Sequence, residues 1–182
     1  MDVLITGALG HIGSRLTGAL LNSTLINRVL LLDNMKTQRF CSLRGIIGHP
    51  KVAFEDIDCR ALGSSKDSLD LKPGSICIHL AAITDAAGSM ANRDEVMSHN
   101  MAATKHVAEW CYANRIKLVF ASSTSVYGSS GGIVDENSDE VFLNPQSPYA
   151  ESKINEEKTI RNIFRSRDEY MILRLGTIFG PS

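Results

Sequence analysis

Short apolar stretches alternate with longer amphipathic ones along the chain. The apolar stretches are rich in Val, Ile and Leu and do not alternate with polar residues, which is typical of strands buried on both faces. They predict strands at Val3–Thr6, Arg28–Asp33, Lys51–Asp56, Ser75–Leu80, Lys117–Ser122 and Tyr170–Leu175. The stretches between them predict helices at His11–Asn22, Thr37–Ile47, Arg93–Asn114 and Pro148–Ser166. This alternation predicts an α/β fold with a doubly wound parallel sheet.

Two longer segments lack either pattern. Arg60–Gly74 is polar and rich in Ser, and we expect a short helix or a loop there. Gly128–Pro148 contains Gly131, Gly132 and Pro145 and predicts a long irregular segment. Loops of this length are uncommon in compact domains and often carry function.

The composition is that of a globular domain. The chain has 182 residues, of which 43% are hydrophobic, and this apolar content excludes a disordered chain. Its formal net charge is −1, which argues against an electrostatic nucleic-acid binder, because such a protein needs clustered cations. The length fits one domain with a substantial core.

The N-terminus and the cysteines bear on where the protein works. The start, MDVLITGALGHIG, carries no basic leader, and no apolar stretch approaches the roughly 20 residues of a membrane span. The 4 cysteines form no C-x-x-C pair, and Cys77 lies in the apolar stretch SICIHL. We therefore expect free thiols, no metal site, no membrane association and a cytoplasmic location.

The first predicted strand runs directly into a glycine-rich turn. Gly7, Gly10 and Gly13 have the spacing G-x-x-G-x-x-G, and a predicted helix follows. Glycine allows a tight turn and a close approach of backbone to a pyrophosphate, and the helix N-terminus offers free N–H groups. The turn therefore predicts a dinucleotide-binding site, with a plain strand-to-helix turn as the alternative.

Asp33 ends the second predicted strand, 20 residues after Gly13. A carboxylate there can accept hydrogen bonds from both hydroxyls of an adenosine ribose and repels a 2′-phosphate, which favours NAD over NADP. Lys36 and Arg39 lie close in sequence and could soften this preference. A helix N-cap or a turn residue is the alternative role for Asp33.

Tyr149 and Lys153 lie at the start of the last predicted helix. Ser147 suits its N-cap and Pro148 its first turn. Tyr149 and Lys153 share one helical face, where the ammonium is expected to lower the phenol pKa from about 10. Such a tyrosine can exchange a proton with a substrate hydroxyl while hydride moves. A surface tyrosine beside a solvated lysine is the alternative.

A run of hydroxyl residues, Ser122, Ser123, Thr124 and Ser125, ends the fifth predicted strand. The carboxyl ends of parallel strands face the ligand crevice of such sheets. A hydroxyl there can hydrogen-bond the reacting oxygen and hold a substrate against Tyr149, although an ordinary turn would also use these residues. The motifs occur in the right order on the right elements, so together they indicate an oxidoreductase site.

These motifs resemble the extended short-chain dehydrogenase/reductases, and within them the NAD-dependent nucleotide-sugar epimerase/dehydratase family. The resemblance rests on TGALGHIG, LLLDN, DID, HLAA, SSTSVYG, SPYAESK and RLGTIFGP, which span nearly the whole chain. It implies a Rossmann-type NAD-binding domain over residues 1–182, with the family's C-terminal substrate-binding domain missing after residue 182. It also implies NAD as the cofactor and a nucleotide sugar as the substrate.

The resemblance implies roles for individual residues. Ser123 would be the catalytic hydroxyl, Tyr149 the acid/base, and Lys153 the residue that binds the nicotinamide ribose. NAD would contact Gly7, Gly10, His11, Ile12, Gly13, Asp33, Asn34, Asp56, Ile57, Leu80, Ala81, Ala82, Asn100, Tyr149 and Lys153. Thr124 and Thr177 would meet the substrate. We interpret His79 as a packed residue at a strand end rather than as a ligand or a base.

The family resemblance further implies a homodimer. It would pack Arg93–Asn114 and Pro148–Ser166 of each subunit into a four-helix bundle. Ile160, Ile163 and Phe164 would supply apolar surface for this contact unless they face the sheet.

Three functions remain open at this point. An NAD-dependent nucleotide-sugar epimerase is favoured over a dehydratase, because Thr124 and Ser125 stand where the family's 4,6-dehydratases have Asp-Glu. The alternatives are an NAD(P)H-dependent sugar or ketone reductase and a non-catalytic dinucleotide-binding module. The presence of both Tyr149 and Lys153 argues against a mere binding module, which has no use for them.

Overall fold

A parallel sheet carries the fold. The computed structural model describes residues 1–63, 69–84, 92–129, 133–136 and 142–179. The strands in these ranges are β1 (Asp2–Thr6), β2 (Arg28–Asp33), β3 (Val52–Asp56), β4 (Ile76–His79), β5 (Lys117–Ser123) and β6 (Tyr170–Leu175). They lie in the order β3-β2-β1-β4-β5-β6, and every neighbouring pair is parallel. The predicted doubly wound α/β fold is confirmed.

Helices cover both faces of this sheet. They are α1 (His11–Leu21), α2 (Arg93–Ala113) and α3 (Pro148–Ile163). The Ser147 hydroxyl accepts a hydrogen bond from the Ala150 N–H, and Pro148 occupies the first turn, so α3 begins as predicted. In the part of the chain that the structure describes, no helix combines the length and the apolar character needed to cross a bilayer.

Two hydrophobic cores lie on opposite faces of the sheet. Successive residues of a strand point to opposite faces, so the apolar stretches of β1 and β2 supply both cores. Leu4 packs in one core with Val107 of α2 and Ile160 of α3. Ile5 packs in the other, against which Leu20 of α1 lies. Burial on both faces explains why these strands show no polar alternation.

The strand order creates a crevice at the carboxyl ends of β1 and β4. From β1 the chain builds outward to β2 and β3, then returns to place β4 on the other side of β1. The connections that leave β1 and β4 therefore diverge, and ligands of open α/β sheets bind in the crevice between them. The glycine turn follows β1 directly, and Leu80 follows β4.

The predicted helix Thr37–Ile47 is wrong. The structure has only a short 3₁₀-helix there, at Phe40–Leu43. Gly45 has a φ of +80° and Gln38 a φ of +51°, both outside the helical region. Ile47 is 61% exposed and Phe40 59%, and of this segment only Ile46 packs against a core cluster, which is too little apolar burial to stabilise a helix.

The two segments without a predicted pattern are only partly described. At the start of Arg60–Gly74 the structure has a short 3₁₀-helix, Cys59–Ala61, and residues 64–68 lie outside the described ranges. In Gly128–Pro148, Gly131 and Gly132 also lie outside them. The described part of this segment is anchored by Asn144, whose N–H donates to the Val126 carbonyl at 3.0 Å.

The apolar residues predicted to serve a dimer contact lie in the core instead. Ile160 is 0% exposed and Phe164 1%, and Ile163 packs against the same core cluster. They face the sheet, which was the alternative left open by the sequence. These three residues therefore do not provide the outward apolar surface of α3 on which the predicted bundle was based.

Candidate functional site

A cavity of about 690 Å³ opens along the carboxyl edge of the sheet. Asp33 lies at its β2 end, and Tyr149 and Lys153 of α3 lie at its β5 end. The predicted site residues that line it are Gly7, Gly10, His11, Ile12, Gly13, Asp33, Asn34, Ile57, Leu80, Ala81, Ala82, Ser123, Tyr149 and Lys153. The fold thus brings most of the predicted site into one crevice.

The glycine turn is shaped by two close backbone approaches. Gly7 has a φ of +66°, and a Cβ there would lie 2.7 Å from the Ala81 nitrogen. A Cβ on Gly13 would lie 2.6 Å from the Ala8 carbonyl oxygen. Neither position accepts a side chain without displacing backbone. Gly10 is the N-cap of α1 and supplies no side-chain hydrogen bond, so the helix N-terminus faces the cavity uncapped.

Asp33 anchors this turn from the end of β2. Its Oδ2 accepts a hydrogen bond from the Leu9 N–H at 3.0 Å, and its Oδ1 accepts one from the Met35 N–H at 3.0 Å. The residue therefore has the turn role that the sequence left as an alternative. Each carboxylate oxygen keeps a second lone pair, so a ribose hydroxyl can still be accepted from the cavity side.

The adenine end of the predicted site is only partly placed in the cavity. Ile57 lines it, whereas Asp56 does not, and Asp58 lines it in its place. The Arg60 side chain donates to both oxygens of Asp58, at 2.9 and 2.7 Å, and the Asn34 amide donates to it at 3.4 Å. The Arg60 hydrogen bonds hold the pKa of Asp58 well below its usual range, although partial burial opposes them. Asp58 thus remains a carboxylate at the cavity wall.

Asn100, Thr124 and Thr177 do not line the cavity. The Asn100 Oδ1 accepts from the Ile83 N–H at 2.8 Å, and its Nδ2 donates to the Ile83 carbonyl at 3.1 Å. Since Ile83 lines the cavity, Asn100 shapes the wall from behind. Thr124 and Thr177 are exposed, and their contact with a substrate stays a prediction.

His99 was missed by the sequence analysis, although it lines the cavity near Asp58. Both of its ring nitrogens are buried, and among the described residues neither has a hydrogen-bond partner. Burial is the main cause that lowers the pKa of His99. Its position two turns into the long helix α2 has no local sequence marker, so only the packing of α2 against the crevice reveals it.

Ser123, Tyr149 and Lys153 come together at the other end of the cavity. The Ser123 Oγ accepts hydrogen bonds from the Ser125 N–H at 3.2 Å and from the Ser125 hydroxyl at 2.9 Å. Its own proton is therefore free to be donated toward the cavity. The Lys153 Nζ lies 5.7 Å from the centre of the Tyr149 ring. A phenol, a hydroxyl and an ammonium thus surround one region of the crevice.

The expected lowering of the Tyr149 pKa is wrong for this structure. Burial and, after it, the negative charge of Glu156 raise the pKa of the Tyr149 phenol above its ordinary value. The Lys153 Nζ is engaged by that carboxylate, to which it donates at 3.3 Å. Spacing along the helix predicted the Tyr149–Lys153 pair but not the buried acid that offsets the lysine charge.

His79 is a packed residue of the core, as interpreted from the sequence. It is 2% exposed, and its Nδ1 lies 2.6 Å from the Thr6 hydroxyl. Its Nε2 lies 3.2 Å from the hydroxyl of Thr104 on α2. Burial, with the nearby Lys153 charge, lowers the pKa of His79 to about 3, so the ring is neutral at physiological pH.

A second buried network fixes the end of β5 that carries Ser123. The Arg174 guanidinium on β6 donates to both oxygens of Glu157 on α3, at 3.0 and 2.7 Å. The Ser122 hydroxyl donates to the same carboxylate at 2.5 Å. Arg174 also donates to the Tyr127 hydroxyl at 2.7 Å. These bonds tie β5, β6 and α3 together directly behind Ser123.

Comparison with known proteins identifies the family. The family model described as the NAD dependent epimerase/dehydratase family matches residues 3–182. The chain belongs to this family. The prediction of NAD as the cofactor is thereby confirmed at the level of the family.

Relatives within the family include epimerases and dehydratases. The chain is 32% identical over 190 residues to the uncharacterized UDP-glucose epimerase YtcB of Bacillus subtilis, covering 100% of this chain and 58% of that protein. It is 27% identical over 196 residues to the dTDP-D-glucose 4,6-dehydratase of Dictyostelium discoideum, covering 98% of this chain and 44% of that protein. The chain thus spans about half the length of these relatives.

A solved structure shows the same fold. The UDP-glucuronic acid 4-epimerase of Bacillus cereus in complex with NAD superposes with a TM-score of 0.83 at 27% identity. The superposition covers 100% of this chain and 58% of that one.

The cavity residues fit the family's dinucleotide. The glycines of the turn carry no side chains, so a diphosphate can approach its backbone closely. The uncapped N-terminus of α1 presents N–H groups and a positive dipole end to an anion. The Asp33 carboxylate lies at one end of the crevice, and Tyr149 lies at the other. Shape and chemistry therefore agree with NAD along the whole crevice.

Proposed function

We propose that this chain is the NAD-binding and proton-transfer part of an NAD-dependent nucleotide-sugar epimerase. The observation that carries the proposal is that Tyr149, Lys153 and Ser123 line the same cavity as the glycine turn and Asp33. A site built only to hold a dinucleotide has no need of a phenol, an ammonium and a hydroxyl at one end. Similarity to proteins named as epimerases supports the same function.

In the proposed mechanism, Tyr149 exchanges a proton with a hydroxyl of the sugar. Ser123 donates a hydrogen bond to the reacting oxygen and holds the sugar against the phenol. Lys153 binds a ribose hydroxyl and favours the phenolate when the proton leaves. NAD, when bound, would supply the hydride acceptor and later the hydride donor, and return of hydride to the opposite face of the ketone would invert the carbon centre.

The raised pKa of Tyr149 fits one half of this cycle. Burial and Glu156 hold the phenol protonated in the structure without ligands. A protonated tyrosine is the acid that returns a proton to the ketone oxygen, and nearby positive charge favours the phenolate that acts as the base. The oxidised nicotinamide ring carries such a charge, so occupancy of the crevice would switch Tyr149 toward proton abstraction.

Turnover of a nucleotide sugar by the full chain tests this function. UDP-glucose, UDP-glucuronic acid and dTDP-glucose are incubated with NAD, and the products are identified by NMR. We expect an epimer without net formation of NADH. Tyr149→Phe should abolish turnover but keep NAD binding, whereas Tyr112→Phe, whose hydroxyl contacts Ser166, should leave both unchanged.

A sugar or ketone reductase is the second candidate, because the same proton-transfer residues serve both reactions. Net consumption of NADH during turnover would decide for the reductase. Binding of NAD without activity on any sugar would favour the binding module. Full turnover by Tyr149→Phe would overturn the proposed mechanism in either enzyme.

The predicted homodimer and the cytoplasmic location stay predictions. If the dimer forms through α2 and α3, their contact must use residues other than Ile160 and Phe164, which are buried in the core. Sedimentation velocity of the full chain measures the mass of the assembly, and a monomer over the tested concentration range would contradict the dimer.

A further inference from the structure

A buried carboxylate lies beneath the proposed proton-transfer residues. Glu156 is 0% exposed and Lys153 3%. The Lys153 Nζ donates to Oε2 of Glu156 at 3.3 Å, and the hydroxyls of Thr104 and Ser152 each donate to this carboxylate at 2.6 Å. The mechanism proposed above uses none of these bonds.

The carboxylate also determines where the lysine charge sits. The Lys153 Nζ lies 4.5 Å from the centre of the Phe120 ring and 5.7 Å from the centre of the Tyr149 ring. Glu156 is closer to the ammonium than either ring is. Its negative charge therefore offsets much of the positive charge that Tyr149 would otherwise feel.

We infer that Glu156 is a positioning residue that holds Lys153 on the floor of the cavity and shields Tyr149 from the lysine charge. The inference rests on the proposed function, in which Tyr149 exchanges a proton with the substrate. It adds a reason why the phenol stays protonated before ligands bind. Glu156 acts through Lys153 and does not line the cavity itself.

Few titratable groups lie around the Glu156 carboxylate. Within the described residues, the titratable groups around the Glu156 carboxylate are Lys153 and Tyr149 on its own helix and His79 on β4. Helix α2 contributes the uncharged Thr104, and β5 contributes the Phe120 ring. Burial raises the pKa of Glu156, but Lys153 and the two hydroxyls outweigh burial and lower it below its ordinary value. Glu156 is thus an ionised acceptor.

An ionised Glu156 fixes the direction of a hydrogen-bond chain that reaches β1. Because the carboxylate can only accept, Thr104 donates its single proton to it. The Thr104 oxygen then accepts from Nε2–H of His79, and the His79 Nδ1 accepts from the Thr6 hydroxyl. The inference therefore specifies the Nε2–H tautomer of neutral His79.

Titration of the Tyr149 phenol tests the shielding directly. Phenolate absorbance is followed against pH in the ligand-free chain. The signal of Tyr149 is isolated by subtracting the absorbance of the same protein with Tyr149→Phe. We expect Glu156→Gln to move the Tyr149 midpoint to lower pH, because the side chain keeps its size but loses its charge. Glu156→Asp keeps the charge, so its midpoint should lie above that of Glu156→Gln.

Glu109→Gln is the matched control. Glu109 lies on α2 with its side chain 54% exposed and pairs with Lys105, away from the cavity. This variant should leave the Tyr149 midpoint in place. A midpoint in Glu156→Gln equal to or higher than that of the unsubstituted chain would overturn the inference, since a merely structural glutamate would not set the phenol pKa. Circular dichroism identifies the pH range over which each variant stays folded, and only this range is used for the titration.

The His79 tautomer provides a second test that needs no variant. Long-range proton–nitrogen NMR spectra of the unsubstituted chain distinguish the two neutral tautomers. We expect Nε2–H. The Nδ1–H tautomer would mean that Thr104 donates to His79 rather than to Glu156, and it would overturn the inference even if Glu156→Gln does not fold.

Both measurements are made without NAD or sugar, so they are separate from the test of the proposed function. A lowered Tyr149 midpoint together with full turnover by Tyr149→Phe would retain the shielding and reject the proposed mechanism. Normal epimerase turnover together with an unmoved midpoint would retain the epimerase and reject the shielding.

Discussion

The backbones of Gly7 and Ala81 meet where β1 and β4 end, so closely that a Cβ on Gly7 would lie 2.7 Å from the Ala81 nitrogen. This contact joins the two strands whose connections diverge to form the crevice. The position also has a φ of +66°, which disfavours any side chain. The turn thus serves both the fold and the cofactor site, and substitution at Gly7 should affect both.

Gly7→Ala should destabilise the chain by about 1–3 kcal/mol and weaken NAD binding, because both the backbone strain and the clash with Ala81 must be relieved by moving the turn. Urea unfolding and calorimetric titration with NAD measure the two effects. Gly18→Ala is the matched control, since Gly18 lies in α1 with nothing within 4 Å of an added Cβ. It should stabilise the chain by about 0.5–1 kcal/mol. Equal effects of the two substitutions would contradict this account.

Asp33→Ala should lower the affinity for NAD at least tenfold. The substitution removes the acceptor proposed for the ribose and the two bonds that hold Leu9 and Met35 in place. Hydrogen bonds to charged groups contribute about 1.5–3 kcal/mol each, and about 1.4 kcal/mol corresponds to a tenfold change in affinity. Asp70→Ala removes an exposed carboxylate that does not line the cavity and should leave the affinity unchanged. An unchanged affinity in Asp33→Ala would reject the ribose assignment.

The sequence predicted best those features that are encoded locally. Strand β2 has the predicted bounds, Arg28–Asp33, because its uninterrupted apolar residues are buried on both faces of the sheet. The glycine turn and the start of α3 were also predicted correctly, because each depends on residues adjacent in the chain. The segment Thr37–Ile47 has helix-like spacing but packs only Ile46 against a core cluster, and spacing alone does not reveal what a face packs against.

The parts of the site that were missed depend on residues far apart in sequence. Glu156 accepts a hydrogen bond from Thr104 on α2, and Thr104 in turn contacts His79 on β4. Nothing near Glu156 in the chain shows that this polar residue is buried while Lys158, two residues later, is exposed. The raised pKa of Tyr149 follows from this long-range packing, and the spacing of Tyr149 and Lys153 alone indicated the opposite.

Arg174→Met should destabilise the chain by about 3 kcal/mol, because it leaves the buried Glu157 carboxylate without its bidentate partner. The loss lies at the lower end of the usual range for such pairs, since Arg161 remains 3.4 Å from Glu157 with a half-exposed side chain. Lys105→Met breaks the exposed pair with Glu109 and should cost less than about 1 kcal/mol. Urea unfolding compares the two variants, and a loss in Arg174→Met no greater than in Lys105→Met would show that the network adds no stability.

His79 should make the chain less stable as the pH falls. Burial lowers its pKa from 6.5 to about 3 in the folded chain, while the unfolded chain retains the ordinary value. Between these two pH values the unfolded state binds the additional proton, so stability is lost as the pH falls, by up to about 1.4 kcal/mol per pH unit. His79→Asn removes the titrating ring. The difference in unfolding free energy between the unsubstituted chain and His79→Asn should therefore decline from neutral pH toward acid. A difference that stays constant over this range would mean that the folded and unfolded chains protonate His79 at the same pH, and it would contradict the lowered pKa of the buried ring.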